Sequence, residues 1–226
     1  MTGIFDSGVG GLAAYYELRR LLPREDIIYL ADRKNAPYGT KTKDELIALT
    51  KKDIKRLLDM GAERILIACC TASTVYCELD ESEQAVALPI ITPASSVAAE
   101  GERIAVIATE HTVRSGAFSR EIRAFSSSAE VIERAEQRLV WLIESGNRDG
   151  RLSVECYAEV HRIAEWVTDI GADTLVLGCT HFSHLESTLG GMLSGVRIVS
   201  PAKEGATALY KKYENTHRGR GLTVYT

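Results

Sequence analysis

The sequence predicts an α/β protein with parallel strands and crossover helices, assembled from two copies of one unit. Three observations carry this prediction. Short β-rich apolar runs alternate with longer amphipathic runs, the pattern of strands joined by helices rather than by hairpins. The length, 226 residues, suits one large domain or two small ones with ample core. The third is an internal similarity: Asp59-Met60-Gly61-Ala62-Glu63-Arg64-Ile65-Leu66-Ile67-Ala68-Cys69 returns as Asp169-Ile170-Gly171-Ala172-Asp173-Thr174-Leu175-Val176-Leu177-Gly178-Cys179. Each copy reads as a helix end, a Gly-Ala turn, a buried strand, a small residue, a cysteine and a new helix.

In chain order, strands are expected at residues 2–5, 26–30, 64–68, 90–92, 103–107, 174–177 and 196–199. The first helix follows Gly10-Gly11, with Leu12, Tyr15, Leu18 and Leu22 on one face, and Pro23 ends it. The second opens on Thr42-Lys43-Asp44-Glu45, a capping box in which hydroxyl and carboxylate satisfy each other's backbone N–H. Ile47, Ile54, Leu57 and Leu58 supply its apolar stripe, and Gly61 suits the left-handed stop. Ser126–Ser128 and the tail 217–221 read as loop or solvated surface.

Composition narrows the function. Lys and Arg number 27 against 31 Asp and Glu, a net charge of −4, where a dedicated nucleic-acid binder shows a basic excess. No run of about 18 apolar residues predicts a membrane span. The Gly-rich segment begins at once, leaving no room for a signal peptide. Five cysteines, an odd number without a CxxC pair, do not make a disulfide framework, and the expected setting is a reducing cytoplasm. No HxH or HExxH spacing occurs, so no metal is expected. Ser7-Gly8-Val9-Gly10-Gly11 lacks the lysine and hydroxyl of a phosphate loop and the dinucleotide spacing.

The repeat carries the chemistry. Ligands of parallel α/β units bind beyond the carboxyl ends of the strands, where Cys69 and Cys179 both fall. A helix N-terminus there favours a thiolate. Two halves facing each other would set these thiols on opposite sides of one cleft. Such a pair can take a proton from one face of a carbon and deliver one to the other, inverting the centre. Cys77 and Cys156 read as helix packing residues.

Ile4-Phe5-Asp6-Ser7-Gly8-Val9-Gly10-Gly11, Pro37-Tyr38-Gly39-Thr40-Lys41, Ala68-Cys69-Cys70-Thr71-Ala72-Ser73 and Leu177-Gly178-Cys179-Thr180-His181-Phe182 together resemble glutamate racemase, of the aspartate/glutamate racemase superfamily. Ile107-Ala108-Thr109 and Thr112-Val113-Arg114-Ser115-Gly116-Ala117 fit the same family in the same order. The resemblance implies two flavodoxin-like domains with the active site between them, residues 1–93 plus 205–226 and residues 94–204. It implies cofactor-independent conversion of L-glutamate to D-glutamate for peptidoglycan, and commonly a homodimer.

By the same resemblance Cys69 serves the D-substrate and Cys179 the L-substrate. Asp6 sits beside the first thiol, and His181 with Glu144 beside the second. Asp6, Ser7, Pro37, Tyr38, Gly39, Cys70, Thr71, Thr180 and His181 match substrate-binding positions. Cys70 departs from the family, which has Asn there, and a thiol lacks the amide's donors and acceptor. Ser200 stands where relatives often carry Asp, and Ala135-Glu136 replaces a Cys-Pro-like segment. An aspartate or other amino-acid racemase, and a non-catalytic amino-acid binding protein on a degenerate scaffold, remain open at this point.

Overall fold

The computed structural model describes residues 1–146, 152–213 and 222–225. The expected surface tail, 217–221, lies outside them. β1 (Thr2–Asp6), β2 (Ile27–Ala31), β3 (Arg64–Ile67), β4 (Ala87–Pro89) and β9 (Leu222–Tyr225) form one sheet in the order β4-β3-β1-β2-β9. β5 (Arg103–Ala108), β6 (Glu130–Ala135), β7 (Thr174–Gly178) and β8 (Arg197–Val199) form the other, in the order β6-β5-β7-β8. Every pairing is parallel. Without β9 the two orders are the same, and both are the flavodoxin-like arrangement.

The repeat is therefore structural. Phe5 pairs with Ile67 in the first sheet and Ile107 with Leu177 in the second, so Cys69 and Cys179 each lie two residues beyond an equivalent rung. Before these strands, α2 (Lys43–Asp59) and α9 (Val154–Asp169) end in turns at Gly61 (φ +92°) and Gly171 (φ +63°). Only glycine takes such backbone without strain.

Local signals explain most boundaries. α1 (Leu12–Leu21) ends before Pro23, with Tyr15 and Leu18 buried. Thr42 and Glu45 form the capping box of α2. The buried face of α2 is Leu46, Thr50, Asp53, Ile54 and Leu57, whereas Leu58 is exposed, because the helix turns its polar Thr50 and Asp53 inward.

Three readings are corrected. Residues 90–92 are not a strand: β4 stops at Pro89, and Ile91 begins α5 (Ile91–Ala98). Pro89 is tolerated because β4 is an edge strand, and Pro93 suits a first helical turn. β6 had no apolar run to announce it, since Glu130-Val131-Ile132-Glu133-Arg134-Ala135 is an only partly buried edge. Cys77 is exposed in a short 3-10 turn, Tyr76–Glu78, while Cys156 is buried in α9 as expected.

The two sheets share a core. Ile4 and Leu66 of the first lie in one cluster with Ile104, Val106 and Val176 of the second. α1, α5, α7 (Ala117–Phe125) and α11 (Pro201–Tyr213) fill the space between. The sequence-based boundaries at 93/94 and 204/205 fall inside α5 and α11. Among the described residues no helix is long and apolar enough to cross a membrane.

Candidate active site

In each sheet the chain first runs through a central strand, β1 or β5, and then fills positions on both sides. The crevice at such a switch point, beyond the strand ends, is where ligands bind. In the first half it is walled by the end of β1 and the segments that follow β1 and β3, which carry Asp6, Ser7, Cys69 and Cys70. In the second it is walled by the loops after β5 and β7, which carry Thr109 and Cys179. The protein brings these two crevices together.

Asp6 is fully buried. Its Oδ2 accepts the Gly8 N–H at 2.9 Å, and its Oδ1 accepts the Thr180 hydroxyl at 3.2 Å from the other half. The carboxylate thus both shapes the glycine turn and crosses the seam. Gly10 permits the approach: a Cβ there would lie 2.6 Å from Thr180 Oγ1 and 3.1 Å from His181 Nδ1.

Cys69 caps α3 (Cys70–Ser73), a single helical turn, its Sγ accepting the Ala72 N–H at 3.5 Å. It also donates to Ser7 Oγ at 3.7 Å. Cys179 precedes a 3-10 segment, Thr180–Leu185, rather than an α-helix. Its Sγ lies 3.6 Å from His181 Nδ1, and His181 Nε2 lies 2.8 Å from Glu144 Oε1 at the end of α8 (Gln137–Gly146). Glu144 is therefore the partner of the site histidine.

Electrostatics separates the two sides. Burial pushes the Cys69 thiol up to about 12, and the Asp6 charge adds to this; the Ala72 N–H and Ser7 work against it without prevailing. One helical turn is too short for its dipole to win, contrary to the thiolate expected from sequence at Cys69. Charge on Cys179 raises Cys69 further, so the two sulfurs sense one another across the seam. Burial alone would lower His181, but its bonds to Cys179 and Glu144, with the charges of Cys179 and Asp6, carry it up to about 11. His181 is an imidazolium at neutral pH. Glu144 is held below the usual carboxylate range by that bond.

Cys70 is buried in the same place. Burial raises its thiol well above the ordinary value, with further increments from charge on Cys179, Cys69 and Asp6. Thr71 Oγ1 meets Thr109 Oγ1 at 3.1 Å and Thr112 Oγ1 at 3.3 Å, forming a hydroxyl cluster that joins the halves. Tyr38 is buried, with its hydroxyl 2.7 Å from Asp32 Oδ2 and 3.0 Å from Asp53 Oδ2. That hydroxyl is engaged structurally, and the Tyr38 carbonyl accepts the Lys41 N–H at 3.1 Å. Pro37, after a cis peptide, is exposed.

Four residues of this neighbourhood were not singled out from sequence as site residues. Thr109 and Thr112 complete the hydroxyl cluster, and Gly10 makes the seam. Gln137 faces Gly39, where a Cβ would lie 2.8 Å from Gln137 Oε1, a buried atom without a hydrogen-bond partner among the described residues. The two threonines lie within motifs that matched the family, and that was their available signal. No group of three His, Cys, Asp or Glu side chains among the described residues is placed to hold a metal ion.

Comparison with known proteins agrees with this fold. Residues 16–209 match the family model described as Asp/Glu/Hydantoin racemase. A glutamate racemase of Desulforudis audaxviator is 37% identical over 224 residues, covering 96% of this chain and 80% of that protein. One from Gloeobacter violaceus is 38% identical over 205 residues, covering 89% and 76%. The crystal structure of a glutamate racemase isoform from Bacillus anthracis superposes with a TM-score of 0.88 at 26% identity, covering 99% of this chain and 87% of that one. That of the Francisella tularensis glutamate racemase in complex with D-glutamate gives 0.87 at 28% identity, covering 99% and 86%. A fold of two matched parallel sheets with facing crevices, together with these likenesses, defines an isomerase of the amino-acid racemase class. The chain belongs to the Asp/Glu/hydantoin racemase family.

Proposed function

We propose that this protein interconverts L- and D-glutamate without a cofactor, using Cys69 and Cys179 as opposed acid and base. The observation that supports this most is the pairing of two thiols at repeat-equivalent positions, close enough that charge on one raises the pKa of the other. Such coupling disfavours two thiolates at once. One thiolate and one thiol is the state a two-base inversion needs: the thiolate removes the Cα proton, and the thiol delivers its own to the opposite face.

Cys179 takes the proton of L-glutamate and Cys69 that of D-glutamate. His181, charged and tied to Glu144, orients the Cys179 sulfur, while Asp6 and Ser7 stand beside Cys69. The Cα proton is weakly acidic, so the developing negative charge must be met by fixed donors in a water-poor chamber. Candidates are the hydroxyls of Ser7, Thr71, Thr109, Thr112 and Thr180 and the backbone N–H of Gly39. The same groups would satisfy the substrate's carboxylates, which cannot be buried unpaired.

Residues 1–93 with 205–226 and residues 94–204 would act as two bodies that part to admit substrate. The cellular role would be supply of D-glutamate for peptidoglycan, in the cytoplasm, with a homodimer as the working form. The test is a panel of L- and D-glutamate and L- and D-aspartate, with optical rotation followed for the parent and for Cys69→Ala and Cys179→Ala. Glutamate should have the highest kcat/KM, and each alanine variant should lose racemisation in both directions. Preference for aspartate would overturn the substrate assignment, and full activity in either variant would overturn the two-thiol mechanism.

A further inference from the structure

Asp53 is a buried carboxyl on α2 that the two-thiol chemistry does not use. Its Oδ2 lies 3.0 Å from the Tyr38 hydroxyl, and the same hydroxyl lies 2.7 Å from Oδ2 of Asp32, just beyond β2. A tyrosine hydroxyl has one proton to donate. It does not serve two carboxylates at once, so one of them must bring a proton of its own. Asp32 is the better ion, because Asn35 Nδ2 donates to both of its oxygens, at 3.0 and 2.9 Å. Asp53 lacks such support. Its Oδ1 is buried without a hydrogen-bond partner among the described residues, and Arg56 Nη1 stops 3.8 Å away.

The proton therefore belongs on Asp53, which donates to Tyr38, while Tyr38 donates to Asp32. The surrounding charges agree. Burial, then the Asp32 charge, raise the Asp53 carboxyl to about 6, against Tyr38 and, on its own helix, Arg56 and Lys52. Charge on Cys69, at the start of α3, acts on the Tyr38 hydroxyl. Tyr38 opens a single 3-10 turn, Tyr38–Thr40, whose second residue is packed hard against the other half. A Cβ at Gly39 would stand 2.8 Å from Gln137 Oε1 and 3.1 Å from Thr109 Cβ. A shift of Tyr38 is passed directly to that contact.

We propose that Asp53 is a positioning residue for glutamate, its proton completing a chain through Tyr38 to Asp32 that sets where Gly39 meets the substrate. The role of Asp53 thus rests on Gly39 being a substrate contact, as read above. With the proton in place, Tyr38 is held both by α2 and by the end of β2. When it leaves, two anions face one hydroxyl, one bond of the chain is lost and the turn slackens. Substrate binding favours the protonated form, so affinity falls as pH rises past the Asp53 titration.

The experiment compares the parent with Asp53→Asn, whose amide supplies a donor at every pH. The dissociation constant of glutamate is measured by calorimetry at pH 5.5 and pH 8. Deuterium uptake by the peptide spanning residues 37–42 is followed in the ligand-free proteins under the same conditions. Between the two pH values the parent should lose about fourfold in affinity, close to the worth of one ordinary hydrogen bond, and Asp53→Asn should lose none. At pH 8 the peptide should exchange faster in the parent than in Asp53→Asn, and at pH 5.5 the two should match. Tyr38→Phe cuts the chain from the other side and should bind weakly at both pH values; it serves as the second variant should Asp53→Asn fold poorly. The same pH dependence of affinity in the parent and Asp53→Asn, or peptide exchange that the substitution leaves unchanged at pH 8, would overturn the proposal. A parent that binds no glutamate at either pH would refute the racemase substrate instead, and the exchange comparison then decides whether Asp53 holds the turn.

Discussion

Gly10→Ala tests whether the loop after β1 must touch the Cys179 loop for catalysis. The added Cβ would stand 2.6 Å from Thr180 Oγ1 and 3.1 Å from the His181 backbone nitrogen. Restoring ordinary contact, which begins near 3.4 Å, requires Thr180 to move by about 0.8 Å. The hydroxyl gives up its 3.2 Å bond to Asp6, and His181 follows because its backbone is also in the way. A misplacement approaching 1 Å can cost about a hundredfold in rate, so kcat/KM should fall between about ten- and a hundredfold. Overpacking of this kind costs about 1–3 kcal/mol of stability.

The control lies two residues away. At Gly8 an added Cβ meets nothing within 4 Å, and neither glycine has positive φ. Gly8→Ala therefore has the same effect on the unfolded chain, about 0.4–1 kcal/mol of stabilisation, without the clash. Racemisation followed by optical rotation, with thermal melts for both variants, separates the two effects. Gly10→Ala retaining kcat/KM within about twofold of Gly8→Ala would refute the reasoning, since a contact that is only structural does not enter the transition state.

Glu144→Gln removes the carboxylate that helps carry His181 up to about 11, so the alkaline limb of kcat should move to lower pH, with about a tenfold loss near pH 8; an unchanged pH profile counts against Glu144 as a positioning residue. Asp53 is buried, and burial, then the Asp32 charge, raise its carboxyl from 3.8 to about 6, against Tyr38, Arg56 and Lys52, which lower it. The folded state therefore holds this proton more tightly than the unfolded chain, and stability falls as pH rises from about 4 to 6, by about 3 kcal/mol in all. Asp53→Asn should abolish that slope in melts across this range, and a slope identical to the parent's would exclude Asp53 as its source. Cys70→Asn restores the family's amide at a buried position in the chamber, and KM for glutamate should fall by about tenfold as a hydrogen-bonding pair replaces a weak thiol; a rise in KM would mean that the surrounding loops have adapted to sulfur.

Much of the fold was legible because it rests on local signals. The Gly-Ala turns at Gly61 and Gly171 and the Thr42–Glu45 box each fix a boundary through chemistry within a few residues. The repeat located Cys69 and Cys179 at equivalent rungs before any pairing was known. β6 was not legible, because an edge strand buries too little to need an apolar run, and β4 was displaced by the misleading Ile90-Ile91 pair. The contacts across the seam were the least legible. That Gly10 faces Thr180 depends on how two halves dock, which no local periodicity encodes; that Glu144 meets His181, 37 residues away within the second half, was legible only through the family resemblance. The effect of burial on Cys69 was missed for a related reason: a capping position was visible in sequence, but the shortness of the helix and the depth of the chamber were not.

The most direct measurement of the central claim is the fate of the Cα hydrogen in deuterium oxide. Each glutamate enantiomer is supplied separately, and substrate and product are analysed by mass at early conversion. Two opposed bases predict deuterium in the product enantiomer from the first turnovers, with the remaining substrate still protiated, in both directions. Equal labelling of substrate and product from the start would indicate a single base serving both faces, and inversion without any solvent label would contradict the exchange of protons with two separate thiols.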